Sequence, residues 1–493
     1  MTVRTCDFLI IGGGAAGCIV ARRLADAGIG QVILVEAGRS DEGDPAATDL
    51  SRLDEQDESY DWGYRARAHP AAPRPMDYAR ARLLGGCANH NDCAFLIPPE
   101  SDFDRWRQLG AHGWDSETTA RCFKRIENQL HIEPAPEGGP LSRAFVDAGR
   151  EFGLPERCFR NGVEPGAGWF PLNARGRLRQ SSSIGYLHPL KTLPETLQVL
   201  TETRVTRLII DGRRVTGIET ERGCISVRRD VILCAGSINT PQLLMLSGIG
   251  PAEELQAHAI PVVVDLSGVG RNLVDHVAAN IVYETAIEPT WERTPCEATL
   301  LASIHADVPD VLFHFVLRLR EKYVGGDQFA GVPHGVKISP NVTRPKSRGT
   351  VRLGGPDPET APVIDLNYFS DTDGYDARTL NAGLRLARRL ADTSSLRPHL
   401  VREVAPGPDV QSDKDFIDYI RATCETVYHP AGTCRMGAVE DLGTVVDPCL
   451  KLTGLDGLRI ADASVFPDMV TVNICNTVMM VAERAAELIL ADT

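Results

Sequence analysis

The sequence predicts an α/β protein, α+β overall, in which a largely parallel sheet carries an inserted domain built on an antiparallel sheet. Three observations lead there. The chain opens on strand, Gly-rich turn, helix and strand by Glu36. Strand–helix units of the same style return at residues 227–246 and 458–489. Between them, residues 281–351 read as strands with loops and carry no such unit.

The opening unit is justified residue by residue. Cys6 to Ile11 is apolar except for Asp7, as in a strand buried on both faces. It runs into Gly12-Gly13-Gly14-Ala15-Ala16-Gly17. An amphipathic helix is expected from Cys18 to Ala27, then a strand Val32 to Val35 that ends on Glu36. In this setting Gly12 permits a tight turn, Gly14 lets backbone approach a pyrophosphate, and Gly17 lets the helix pack on the strand. The helix N-terminus offers free N–H groups and a partial positive charge. Glu36 can accept from ribose hydroxyls and would repel a 2′-phosphate. The unit therefore predicts a Rossmann-like dinucleotide site, for FAD or NAD over NADP.

Further along, residues 38–61 form an acidic, irregular connection, and Leu83 to Ala94 is dense in Gly, Cys, Asn and His without periodicity. One helical stretch is expected over Asp102 to Glu127, then a loop over 134–140. Strands follow at 197–203 and 205–210, with a hairpin turn at Asp211-Gly212-Arg213. A buried strand Val227 to Cys234 feeds a helix that Ala235-Gly236-Ser237 opens and Ser247 to Pro251 ends. Tyr375 to Ala391 reads as an Arg-rich amphipathic helix. Strand Leu458 to Ala461, Asp462 and a closing helix from Val478 to Ile489 complete the chain.

At 493 residues, two connected domains are expected. Hydrophobic content of 43% and charged content of 24% suit a globular enzyme. No run of 18 apolar residues exists, so no membrane span is expected. The pattern starts almost at Met1, which leaves no room for a signal peptide. Thirteen cysteines without CxxC pairs suit reduced thiols and a cytoplasmic location. A net charge of −14 argues against nucleic acid as partner. No metal-ligand spacing occurs, and no Gly-x-Ser-x-Gly elbow supports a hydrolase.

Four separated blocks, in order, resemble the glucose-methanol-choline (GMC) flavoprotein oxidoreductases. They are the Gly12 to Glu36 unit; Gly85-Gly86-Cys87-Ala88-Asn89-His90-Asn91; Gly236-Ser237 through Gly248-Ile249-Gly250-Pro251 and Gly268 to His276; and His429-Pro430-Ala431-Gly432-Thr433 with Ala461-Asp462-Ala463 and Val472-Asn473. Pro345 to Val351 fits as well. The resemblance spans nearly the whole chain. It implies an FAD-binding domain over 1–148, 197–280 and 428–493, and a substrate-binding domain over 149–196 and 281–427. It carries cofactor contacts onto Gly12, Gly14, Ala15, Ala16, Gly17, Glu36, Ala37, Arg80, Leu84, Gly85, Gly86, His90, Asn91, Val205, Ala235, Asp462, Ala463 and Asn473. The motifs are closest to the family's choline-oxidising members, which implies an FAD tethered covalently to the His90 imidazole.

The chemistry at the last block is alcohol oxidation. A carbinol carbon gives up hydride readily only as its hydroxyl proton leaves, so a base of near-neutral pKa helps, and histidine suits the role. His429 matches the family's catalytic His. Asn473 matches the second residue of its pair, whose amide can hold and polarise the oxygen. The expected reaction is oxidation of a primary alcohol to an aldehyde, with dioxygen reduced to hydrogen peroxide. Alternatives are a dehydrogenase with a quinone or carrier acceptor, and a lyase or photodecarboxylase on the same fold. Tyr428 and His429 are expected at the substrate, with Asp92 and Glu297 as carboxylates. Pro295 and Cys296 replace aromatics of the choline-oxidising members. A polar or cationic alcohol is therefore expected, such as an amino alcohol or amino sugar. His276 reads as structural support, and His112, His258, His305, His314 and His334 have no evident partner. A homodimer is among the expectations.

Overall fold

A computed structural model describes residues 4–133, 138–190, 193–319, 329 and 331–493. The first sheet gathers distant pieces of chain. Its strands run in the order Val205–Asp211, Arg214–Thr220, Gly223–Leu233, Arg4–Ile11, Val32–Val35, Leu197–Leu200, with Leu458–Ile460 paired beside Gly223–Leu233. Arg4–Ile11 is parallel to both of its neighbours, as expected for a strand whose residues are apolar on both faces. Register puts Ile11 opposite Val35 and Leu233, and Leu233 opposite Ile460. Four strand ends thus fall on one edge. From that edge emerge the Gly12 turn, Glu36, Ala235 and Asp462, which is where open α/β sheets bind ligands.

The helices Gly17–Ala27 and Cys475–Ala491 pack against this sheet and each other. The closing helix begins three residues earlier than the sequence suggests. The stretch 102–127 is not one helix but two, Glu100–Gln108 and Ser116–Gln129. Gly110 and Gly113, at φ +92° and +81°, break it. A Cβ at Gly110 would lie 2.5 Å from the Ala438 backbone nitrogen, so the break lets a distant segment approach. The expected loop over 134–140 lies largely outside the described residues.

The second sheet is almost wholly antiparallel: Leu400–Ala405, Ile281–Thr285, Gly335–Val342, Val311–Val316, Ala298–Ala302, Gly166–Trp169 and Glu156–Cys158, with Val277–Ala278 bridging to Glu425–Thr426. Its strands alternate in the expected period of two. Phe313, Phe315, Val336 and Ile338 face a core shared with the helix Tyr375–Ala391, through Leu380 and Leu384. Phe145 stacks on Phe315 at 4.5 Å, 6° from coplanar. The opposite face, carrying His314, Val316, Lys337 and Ser339, lines a cavity. Among the described residues no helix is long and apolar enough to cross a membrane.

Candidate active site

One cavity of about 480 Å³ starts at the strand-end edge of the first sheet and ends on the His314–Ser339 face of the second. At its near end the glycines meet the requirements of the opening turn. Gly12 has φ +100°, and a Cβ there would lie 2.5 Å from the Cys234 carbonyl oxygen. A Cβ at Gly17 would lie 1.9 Å from the Gly12 oxygen, so the helix rests directly on the turn. Glu36 accepts the Gly13 and Gly38 N–H groups, both at 2.7 Å. Each carboxylate oxygen keeps a lone pair for a ribose hydroxyl. Burial raises the Glu36 pKa, and these N–H donors oppose the shift. Asp462 accepts from Gly236 N–H at 2.8 Å and Thr240 Oγ1 at 2.7 Å, which fastens a second helix to the same edge.

The far end is built around a strained turn. Tyr428 sits at φ +62°. Its N–H donates to Thr426 Oγ1 at 2.7 Å, and its carbonyl accepts from Arg80 at 2.9 Å. Beneath it, the buried Asp275 accepts from Tyr368 at 2.7 Å, Tyr78 at 3.0 Å, Thr426 Oγ1 at 2.6 Å and the His429 backbone N–H at 2.8 Å. The His429 side chain is thereby aimed into the cavity. Its Nδ1 lies 2.9 Å from Nδ1 of His276, and its Nε2 lies 3.5 Å from Nδ2 of Asn473. Burial holds the His429 pKa well below its ordinary value, helped by repulsion from His276, His314 and Arg80. Burial also lowers His276.

Most positions singled out in the sequence reach the cavity wall. Gly12, Gly14, Ala15, Ala16, Glu36, Ala37, Arg80, Gly86, His90, Asn91, Asp92, Val205, Ala235, Tyr428, His429, Asp462, Ala463 and Asn473 line it. Gly17, Leu84 and Gly85 stand one layer behind: Leu84 packs against Gly13, and Gly85 N–H donates to the Gly13 carbonyl at 2.7 Å.

Glu297 does not line the cavity. Its Oε1 accepts the backbone N–H groups of Glu292 and Arg293 at 3.0 and 2.9 Å, and burial raises its pKa. Pro295 and Cys296 form the wall instead, and the two backbone N–H donors hold the Glu297 carboxylate behind it. Sequence reasoning missed the cavity residues His314, Lys337, Ser339 and Glu425, and missed His276 as a neighbour of His429. His314 stacks on Phe170 at 5.6 Å, and burial lowers its pKa to about 4. Lys337 and Glu425 lie 3.8 Å apart. The alternation of residues 311–316 and 335–342 was the available signal for these, but not which face is wet.

Fold, turn and the half-buried His–Asn pair together define a dinucleotide-dependent oxidoreductase with a reaction chamber running between its two sheets. Family models for the GMC oxidoreductases match residues 6–278 and 345–482, and the chain belongs to that family. It is 39% identical to choline oxidase of Arthrobacter globiformis over 99% of this chain and 94% of that one. It is 34% identical to an oxygen-dependent choline dehydrogenase of Brucella ovis, over 99% and 96%. Among solved structures, pyridoxine 4-oxidase from Mesorbium loti superposes with a TM-score of 0.91 at 29% identity, covering 98% of each chain.

The protein is therefore an FAD-dependent oxidoreductase that acts on the CH–OH group of alcohols. The residues present fit FAD. A glycine-rich turn, Glu36 with lone pairs to spare, and a buried Asn473 Oδ1 with no partner among the described residues share one cavity.

Proposed function

We propose that the protein oxidises a polar primary alcohol to its aldehyde, with His429 as the base and dioxygen as the final acceptor. FAD supplies the hydride acceptor. His429 takes the hydroxyl proton at Nε2, and the Asn473 amide donates to the developing alkoxide and holds the carbinol carbon in place. A neutral imidazole in a buried chamber does this without first losing a proton to water. The observation that carries the reading is the 3.5 Å juxtaposition of His429 Nε2 and Asn473 Nδ2 on a wall continuous with the Gly12–Gly17 turn. The oxidase and oxygen-dependent relatives support dioxygen as acceptor.

The chamber wall supports a substrate with both donors and acceptors. Asp92, whose Oδ1 accepts from Thr294 at 3.0 Å, and Glu425 can take donors; Lys337 and Ser339 can give to acceptors. With Glu297 off the wall and an ammonium on it, a quaternary ammonium alcohol is less favoured than an amino sugar or hydroxylated amine. His90, on the same wall, is proposed to carry FAD covalently.

Anaerobic mixing with a panel of alcohols tests the reaction. An amino sugar is expected to bleach the flavin faster than choline or benzyl alcohol, and air is expected to yield peroxide. His429→Ala is expected to slow bleaching by the ~10²–10⁴-fold contribution of a general base; an unchanged rate overturns the reading. Colour that stays with acid-precipitated protein supports the His90 link, and its loss in His90→Asn should follow.

A further inference from the structure

A neutral imidazole can act as a base only through the nitrogen that carries no proton. For His429 that choice is made by a neighbour outside its own motif. Nε2 of His276 faces two backbone carbonyls at once, Thr343 O at 2.9 Å and Val470 O at 3.0 Å. A carbonyl oxygen only accepts, so this nitrogen bears the proton. His276 is buried, and burial disfavours its charged form. Its Nδ1 is then a bare acceptor. The only hydrogen-bonding arrangement left across the 2.9 Å contact has Nδ1–H of His429 donating to it. The two rings meet at 83°, an angle that leaves an N–H in one ring plane free to point at a lone pair in the other. Nε2 of His429 is left unprotonated, on the side facing Asn473 Nδ2.

We infer that His276 is a positioning residue that fixes the tautomer of His429, keeping Nε2 bare and aimed at the substrate hydroxyl. The inference rests on the reading of His429 as the base and extends it. The device is compact in sequence and split in function. Asp275 fixes the His429 backbone and His276 fixes its ring, while the carbonyl of Val470 ties the same imidazole to the segment that carries Asn473. Without an acceptor at Nδ1, the His429 ring is free to place its proton on Nε2, where it blocks proton removal.

The test uses the FAD-loaded enzyme and two variants. His276→Ala removes the acceptor. His276→Asn restores one, because its amide oxygen can occupy the place of Nδ1. The limiting rate of anaerobic flavin reduction is expected to fall on the order of 10- to 100-fold in His276→Ala, with substrate affinity unchanged. His276→Asn is expected to recover to within about threefold of the parent enzyme. Independently of any variant, ¹⁵N NMR of histidine-labelled enzyme should show a protonated Nδ1 and a bare Nε2 for the resonance that His429→Asn removes. Equal losses in both His276 variants, no loss in His276→Ala, or the opposite tautomer would each overturn the inference. A His429→Ala enzyme with an undiminished rate would instead bring down the base assignment itself.

Discussion

Tyr428 carries its side chain at φ +62°, a region that costs an L residue roughly 1–2 kcal/mol. The Thr426, Arg80 and Asp275 hydrogen bonds around it hold the turn, and the strain directs His429 into the chamber. The same enclosure sets how the base responds to pH. Burial is the largest cause of its lowered pKa, followed by the repulsion that His276, His314 and Arg80 would exert on an added proton. A base works deprotonated, so the rate holds as pH falls until pH reaches that pKa, which lies below the ordinary 6.5. The limiting rate of anaerobic flavin reduction is therefore expected to show its acid limb below pH 6.5. A limb at or above 6.5 in stopped-flow profiles would contradict the enclosure argument.

At the scale of elements, the loop Gly85 to His90 meets the dinucleotide turn through backbone alone. Gly86 has φ +54°, and a Cβ there would lie 2.7 Å from the Gly14 Cα. Neither backbone can yield without moving the turn or the segment that carries His90. Gly86→Ala is expected to lower the flavin-to-protein absorbance ratio of purified enzyme severalfold. Gly176→Ala is the control: its φ of +60° is comparable, but none of the described residues comes within 4 Å, so it should keep full flavin. Equal flavin content in the two variants would refute the close-approach argument. Elements of this kind were legible in the sequence because their rules are local. A strand, three spaced glycines, a helix and an acid constrain one another within a few turns of chain. The Tyr375–Ala391 helix was legible for the same reason. The placement of Glu297 was not legible, because its neighbours Pro295 and Cys296 show that a wall passes nearby but not which side chains face it. The break at Gly110 was missed because its cause, Ala438, lies more than 300 residues away.

At the scale of the molecule, what the sequence hid is how the blocks are tied together. The residues that hold His429 come from positions 78, 80, 275, 276, 368 and 426. No periodicity relates them. Asp102 makes the corresponding tie for Asn473. Fully buried, it accepts from Thr471 N–H at 2.6 Å and Oγ1 at 3.0 Å, and from Arg344 at 2.6 Å, with Arg105 at 3.3 Å. The helix Glu100–Gln108, the residues that follow the second-sheet strand Gly335–Val342 and the segment leading to Asn473 thus share one carboxylate.

Removing it leaves the Arg344 guanidinium and the Thr471 N–H without their carboxylate, while Arg105 keeps Asp468 at 2.8 Å. Both arginines reach water through about a fifth of their side-chain surface, which softens the loss. Asp102→Ala is expected to destabilise the fold by roughly 2–4 kcal/mol, below the full cost of breaking a wholly buried pair. It should also slow flavin reduction, because Thr471 lies two residues before Asn473. Asp104→Ala, on the same helix but half exposed and 3.5 Å from Arg107, is expected to stay within about 0.5 kcal/mol of the parent. Thermal unfolding followed by flavin fluorescence separates the two. If Asp102→Ala melts with Asp104→Ala and reduces its flavin at the parent rate, this carboxylate does not tie the blocks, and the placement of Asn473 must come from the closing helix alone.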